Sequence, residues 1–146
     1  MSAIAWFYVI DRAAAGEIAA TVDPDAAYEI LRTRGRSLDN DLFLWSGYCM
    51  VDLLDFLTSR GISAAAGEPD VSGALPVLAF AFGPADRQLR TRFDPESFTS
   101  EELTESMAAF EFDATEAVFA ATDGLNALRI GIEALGEDDL LVITVG

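Results

Sequence analysis

The chain has 146 residues, of which 51% are hydrophobic, enough to build one domain around a sizeable core. Its formal net charge of -16 comes from 25 acidic residues against 9 basic ones, and every basic residue is arginine, because the chain holds neither lysine nor histidine. That composition excludes Ser-His-Asp and Cys-His catalysis, imidazole metal sites, Schiff-base lysines and P-loop lysines. The acidity also sets the chain against nucleic acid and anionic membrane surfaces, both of which recruit basic residues.

The opening stretch SAIAWFYVID (2–11) is apolar on both alternating faces and rich in aromatic and β-branched residues, which predicts a strand internal to a sheet. RAAAGEIAA (12–20) reads equally as a short helix or a loop, with Gly16 weakening the helical pattern. DPDAAYEILRTRG (23–35) has complete helix punctuation: Asp23 as N-cap, Pro24 at the first helical position and Gly35 as the stop. Arg32 and Arg34 then fall in the last turn, where cations complement the helix dipole. LDNDLFLWSGYCMVDLLDFLTSRG (38–61) is the strongest helical segment and predicts a helix buried on several sides, capped by Asp39 or Asn40 and ended by Gly61. On its wheel Asp41, Tyr48, Asp52, Asp55 and Ser59 gather on one narrow face.

SAAAGEPDVSG (63–73) predicts a surface loop, and LPVLAFAFG (75–83) a strand with a bulky face of Leu78, Phe80 and Phe82 and a small face of Val77, Ala79 and Ala81. A closely packed helix would explain the small face. DRQLRTRFDP (86–95) holds a second arginine group, Arg87, Arg90 and Arg92. DPESFTSEELTESMAAF (94–110) predicts a helix capped by Thr99 or Ser100. The stretch 112–136 opens with a capping box from Asp113 to Glu116 and presents Val118, Phe119, Leu125, Leu128, Ile132 and Leu135 as its apolar stripe. GEDD (136–139) predicts a turn, and LLVITVG (140–146) a terminal strand.

Three groups of residues carry chemistry. Asp52 and Asp55, three apart on one helix face with Tyr48 in line, can share a proton or face a cation, or simply form the solvated stripe of a buried helix. Arg32, Arg34 and Arg36, with Arg87, Arg90 and Arg92, make one anion-binding patch if the fold joins them; otherwise they neutralise the protein's own carboxylates. The single Cys49, in an apolar run, reads as a buried, inert thiol, and the sparse cysteine and missing signal peptide point to the cytoplasm. The tryptophans and phenylalanines read as core. No metal motif or phosphate loop is found, so no cofactor, metal ligand or catalytic residue is assigned.

WFYVID, LWSGYCMVDLLDFLTSRG, FDPESFTSEELTESM and the closing LNALRIGIEALGEDDLLVITVG resemble, over nearly the whole chain, the YfbM-like family of small bacterial proteins. The resemblance implies an α+β fold with both chain ends in one sheet, and no established activity. MAAFEFDATE lacks the family's frequent aromatic-proline step, and the central helix lacks its frequent histidine. The expectation is a single α+β domain over 1–146, a small mixed sheet with about four helices. Its function is expected to be non-catalytic binding of a basic protein, as in immunity-like proteins. The alternative is a small-molecule or anion-binding domain, or an enzyme, built from the Asp, Tyr and Arg residues above; homo-oligomerisation stays open.

Overall fold

A computed structural model describes residues 3–64 and 69–146. The first strand, β1 (Ala5–Asp11), hands directly to α1 (Arg12–Ala20), because the Asp11 side chain accepts from the Ala14 N–H at 2.7 Å and caps the helix. This settles the helix-or-loop ambiguity of 12–20 in favour of helix. Next come α2 (Pro24–Arg34), capped by Asp23 as expected, and the two-residue β2 (Arg36–Ser37). They are followed by α3 (Gly47–Ser59), β3 (Leu78–Phe82), α4 (Ser100–Ser106), α5 (Ala114–Glu133) and β4 (Asp139–Val145). Short 3-10 turns at Ser72–Ala74, Pro84–Thr91 and Pro95–Ser97 link these elements. The predicted capping box of Asp113 with Glu116 forms, and of the two candidate caps Thr99 and Ser100 it is Thr99 that caps α4, in a second box with Glu102.

The strands order as β2-β1-β4-β3, so both chain ends lie side by side in the middle of one sheet. Every pairing is antiparallel, which replaces the expected mixed sheet. The reason is topological: each strand enters from the end at which its neighbour leaves, and no right-handed βαβ crossover occurs. β1 and β4 pair over seven residues, from Ala5 with Val145 to Asp11 with Asp139. Their alternation splits the core into two layers. Ala5, Phe7 and Val9 join Leu141, Ile143 and Val145 beneath α3, α4 and α5, whereas Tyr8 and Ile10 join Leu140 and Val142 beneath α1 and α2. Ala79, from the small face of β3, belongs to the second layer, but the element packed against β3 there is the 3-10 turn Ser72–Ala74, which lies between the strand and α1, and not a long helix.

The largest departure is the start of α3. The sequence predicts a helix starting behind Asp39 or Asn40, but 38–46 are irregular and the cap is Ser46, whose Oγ accepts from the Tyr48 N–H at 3.3 Å. Asp39 instead folds back on itself, its Oδ1 accepting from the Asp41 N–H at 2.9 Å, so the Asp-Asn-Asp run spends its polar groups on a turn. Gly47 then brings the helix start against β1: its N–H donates to the Ala3 carbonyl at 2.8 Å, and a Cβ there would lie 2.8 Å from Val145 Cγ1 and 3.0 Å from the Ile4 carbonyl carbon. α3 ends at Gly61 as expected, in the left-handed conformation with φ of 75°. The expected loop at 63–73 is bounded by Ser63, Ala64 and Pro69, with residues 65–68 outside the described ones.

Candidate functional site

The two arginine groups lie at opposite edges of the sheet. Arg32, Arg34 and Arg36 flank β2, whereas Arg87, Arg90 and Arg92 follow β3, three strand spacings of about 4.8 Å away. They do not merge into one cationic patch. Arg34 pairs with Glu17 and lies 3.9 Å from Asp11, and Arg32 sits 3.5 Å from Glu29 and 5.8 Å over the Tyr28 ring. Tyr28 in turn bonds Tyr8, whose hydroxyl is held above the ordinary tyrosine range, first by burial and then by the neighbouring Tyr28. Arg87 donates to the Leu135 carbonyl just past α5, tying down the end of that helix. Arg87 and Arg90 line a small surface hollow of about 510 Å³ with Glu133, and Arg36 and Arg92 are exposed.

The carboxylate set is assembled in part. Tyr48, Asp52 and Asp55 do share the outer face of α3, while Asp41 lies in the turn before the helix and so leaves the row. Burial pushes the Asp52 carboxyl up, and the Asp55 charge adds to the rise. Among the described residues no group of three or more Asp, Glu or Cys side chains is placed to hold a metal ion. Cys49 is buried about a quarter turn around α3 from this row and one turn before Asp52, and burial followed by the Asp52 charge pushes its thiol up to about 11, as an inert thiol requires. The Tyr48, Asp52, Asp55 and arginine side chains do not line one cavity: Asp55 alone reaches the larger cleft, of about 800 Å³, described below.

Two features were not legible in the sequence. One is an aromatic shoulder. Residues 38–46 run back along α5, where the Trp45 indole N–H donates to Asp123 Oδ2 at 2.8 Å. Phe112 meets Trp45 edge-on with ring centroids 5.4 Å apart, and Phe110 stacks on Phe112 at 5.4 Å. Phe119, one turn before Asp123 on the outer face of α5, is 59% exposed, and Leu44 beside Trp45 is 77% exposed. Phe119 was expected in the apolar stripe; α5 instead buries its small residues Ala117, Ala120, Ala121 and Gly124 to approach the neighbouring helices closely. The large ring is thereby turned to solvent. Exposed carboxylates of Asp39, Asp41, Glu111, Asp113, Glu116 and Asp123 flank these aromatic residues along the two segments. Residues 93–128 carry nine carboxylates and no arginine, so the sequence signal for this face was an arginine gap whose meaning depended on the fold.

The other feature is a cleft along β3. Leu54, Leu57 and Asp55 of α3 form one wall, Phe82 and Phe93 lie at its floor, and Asp70 and Ser72 form the opposite wall. Asp86, 3% exposed, closes one end, with its Oδ2 accepting from the Gly83 N–H at 2.8 Å. Arg12 and Glu137 lie at that end too.

Elsewhere the ion pairs serve the fold. Arg60, at the end of α3, bonds Glu102, lies 3.4 Å from Glu105 of α4, and covers the Phe56 ring at 4.7 Å. The Thr99 N–H, then the Arg60 guanidinium, hold the Glu102 carboxyl below its usual range. Among the described residues no helix is long and apolar enough to cross a membrane. No family model, curated protein or solved structure matches the chain.

Proposed function

We propose that this chain, as a member of the YfbM-like family, is a non-catalytic binding module that docks a basic protein through the aromatic shoulder of the 38–46 segment and α5. One observation carries the reading: Phe119 and Leu44 stand in solvent beside Trp45, Phe110 and Phe112, on two stretches, 37–59 and 93–128, that carry exposed carboxylates and no arginine. Large apolar side chains supply affinity when a partner excludes water from them, and the charged rim selects the partner's sign and speeds encounter. A scattered acidic surface serving solubility alone would not need exposed rings at its centre. Oxygen-only and arginine-only chemistry, with the candidate side chains spread over three places, supports binding over turnover.

The test is capture from cells with three tagged baits: the wild-type chain, Phe119→Ala, and Asp41→Arg with Glu111→Arg. The wild type is expected to retain basic proteins at about 0.1 M KCl and release them at about 0.5 M, where the Debye length is much shorter. Both variants are expected to lose them. Retention of the same proteins by all three baits, or retention of none by the wild type, refutes the reading.

A further inference from the structure

The backbone of β3 has a side that nothing among the described residues pairs. β3 is an edge strand, bonded to β4 alone. Its outward groups follow from the ladder on the far side of β4. The Ile4 and Gly146 N–H groups donate to each other's carbonyls at 3.3 and 3.2 Å, and the Arg12 N–H donates to the Asp138 carbonyl at 2.8 Å. Even-numbered residues at this end of the chain therefore face β1, and Leu141, Ile143 and Val145 face β3. Their register partners are Phe82, Phe80 and Leu78, so the N–H and C=O groups of Ala79 and Ala81 point away from the sheet, into the cleft.

Edge strands are normally protected by charge, proline or a bulge, or are kept very short. The other edge obeys this rule: β2 is two residues long and carries Arg36. β3 does not. LAFAF has no charged residue and no proline, and the cleft of about 800 Å³ runs beside it.

We propose that β3 is a strand-addition site, taking an extended segment of another protein in which apolar and basic residues alternate. Backbone bonds to Ala79 and Ala81 hold such a segment in register, and its side chains fall alternately to the two sides of the sheet. On the α3 side they meet Leu54, Leu57, Phe82 and Phe93, an apolar pocket. On the other they meet Asp70 and Ser72. Among the described residues the cleft carries Asp55, Asp70, Asp86 and Glu137 against the one cation Arg12, and this charge imbalance selects a basic segment over an acidic one. The site is separate from the aromatic shoulder and stands or falls without it.

The probes are two fluorescent peptides, one alternating valine with arginine and one alternating valine with glutamate, titrated into the whole chain while backbone amide exchange is followed by NMR. In the free protein the Ala79 and Ala81 amides are expected to exchange fast, while Phe80 and Phe82 are protected by β4. The arginine peptide is expected to slow Ala79 and Ala81 by about tenfold or more, and the glutamate peptide to leave them unchanged. Ala81→Pro is expected to weaken the arginine peptide by about tenfold, since it deletes an outward donor that the β4 ladder does not use. Phe119→Ala is expected to leave peptide binding unchanged, which separates this result from the capture test. Protection of Ala79 and Ala81 before any peptide is added overturns the proposal; concentration-dependent protection would assign the edge to a second copy of the chain. Equal binding of both peptides, or protection appearing at 110–123 instead, overturns it as well.

Discussion

Alanine at Gly16 and at Gly124 is expected to move stability in opposite directions, although both glycines lie inside helices. In either helix the replacement gains about 1 kcal/mol, because glycine loses more backbone entropy than alanine on becoming helical. At Gly16 of α1 a Cβ meets nothing within 4 Å, so the full gain is expected, raising the melting temperature by about 2–4 °C. At Gly124 of α5 the new Cβ would lie 2.5 Å from Leu53 Cδ2, whereas carbon atoms rest at about 3.5–4.0 Å. Leu53 is 1% exposed, and Phe43 and Met50 lie 3.5 and 3.7 Å from the same point, so it can swing away only by disturbing the core. Overpacking of this kind costs about 1–3 kcal/mol, which outweighs the helical gain and leaves a net loss of about 1 kcal/mol. Urea unfolding at fixed salt measures both variants, with an unchanged m-value showing that the unfolded state is comparable. A double-mutant cycle isolates the cause. Leu53→Ala is expected to cost about 2–5 kcal/mol in the wild-type background and at least about 1 kcal/mol less beside Gly124→Ala, where it removes the clash. Strict additivity, or a Gly124→Ala variant as stable as Gly16→Ala, would refute the close α3–α5 contact.

Two further substitutions test the middle of the sheet and the core face of α3. Thr144 of β4 is 1% exposed, paired with Trp6 and Ala79, and its Oγ1 finds no hydrogen-bond partner among the described residues. Thr144→Val is therefore expected to be neutral or to stabilise by up to about 1 kcal/mol, and Thr144→Ser to destabilise by about 1 kcal/mol through the lost methyl; a clear loss in the valine variant in urea melts would reveal a bonded hydroxyl. The Cys49 thiol, raised from 9.0 to about 11 in the fold, stays protonated where an unfolded chain's thiol ionises, so unfolding releases a proton there and stability is expected to fall as pH rises from 9 to about 11. A thiol reagent at about pH 8 is expected to label the protein at the rate of unfolding, and prompt labelling of the native chain would contradict this burial.

Much of this architecture is local and was therefore written in the sequence. Asp23 accepting from the Asp25 N–H behind Pro24, and Asp113 with Glu116, each fix a helix start through bonds spanning two or three residues where the residues predict, and Thr99, one of the two caps the sequence offers for α4, does the same with Glu102. The two apolar runs at the chain ends alternate on both faces, so both had to be strands covered on two sides. The inert Cys49 followed from its apolar neighbours in the same way.

What the tertiary structure decided are relations between segments far apart in the chain. Periodicity makes 38–46 helical, but Asp39 turns on its own backbone and Trp45 bonds Asp123, 78 positions away, so those residues become part of a surface beside α5. Hydrophobicity puts Phe119 inside, but close helix contact selects alanine and glycine for the buried face and leaves the ring outside. The arginine groups share a sign and a spacing, yet strand order sends them to opposite edges. Nothing in LAFAF says whether it is central or at an edge, because that depends on which strands pair with β4. Local bonds and side-chain periodicity act over a few residues and survive in a linear text, whereas strand order, close approach and the exposure they leave are properties of the assembled layers.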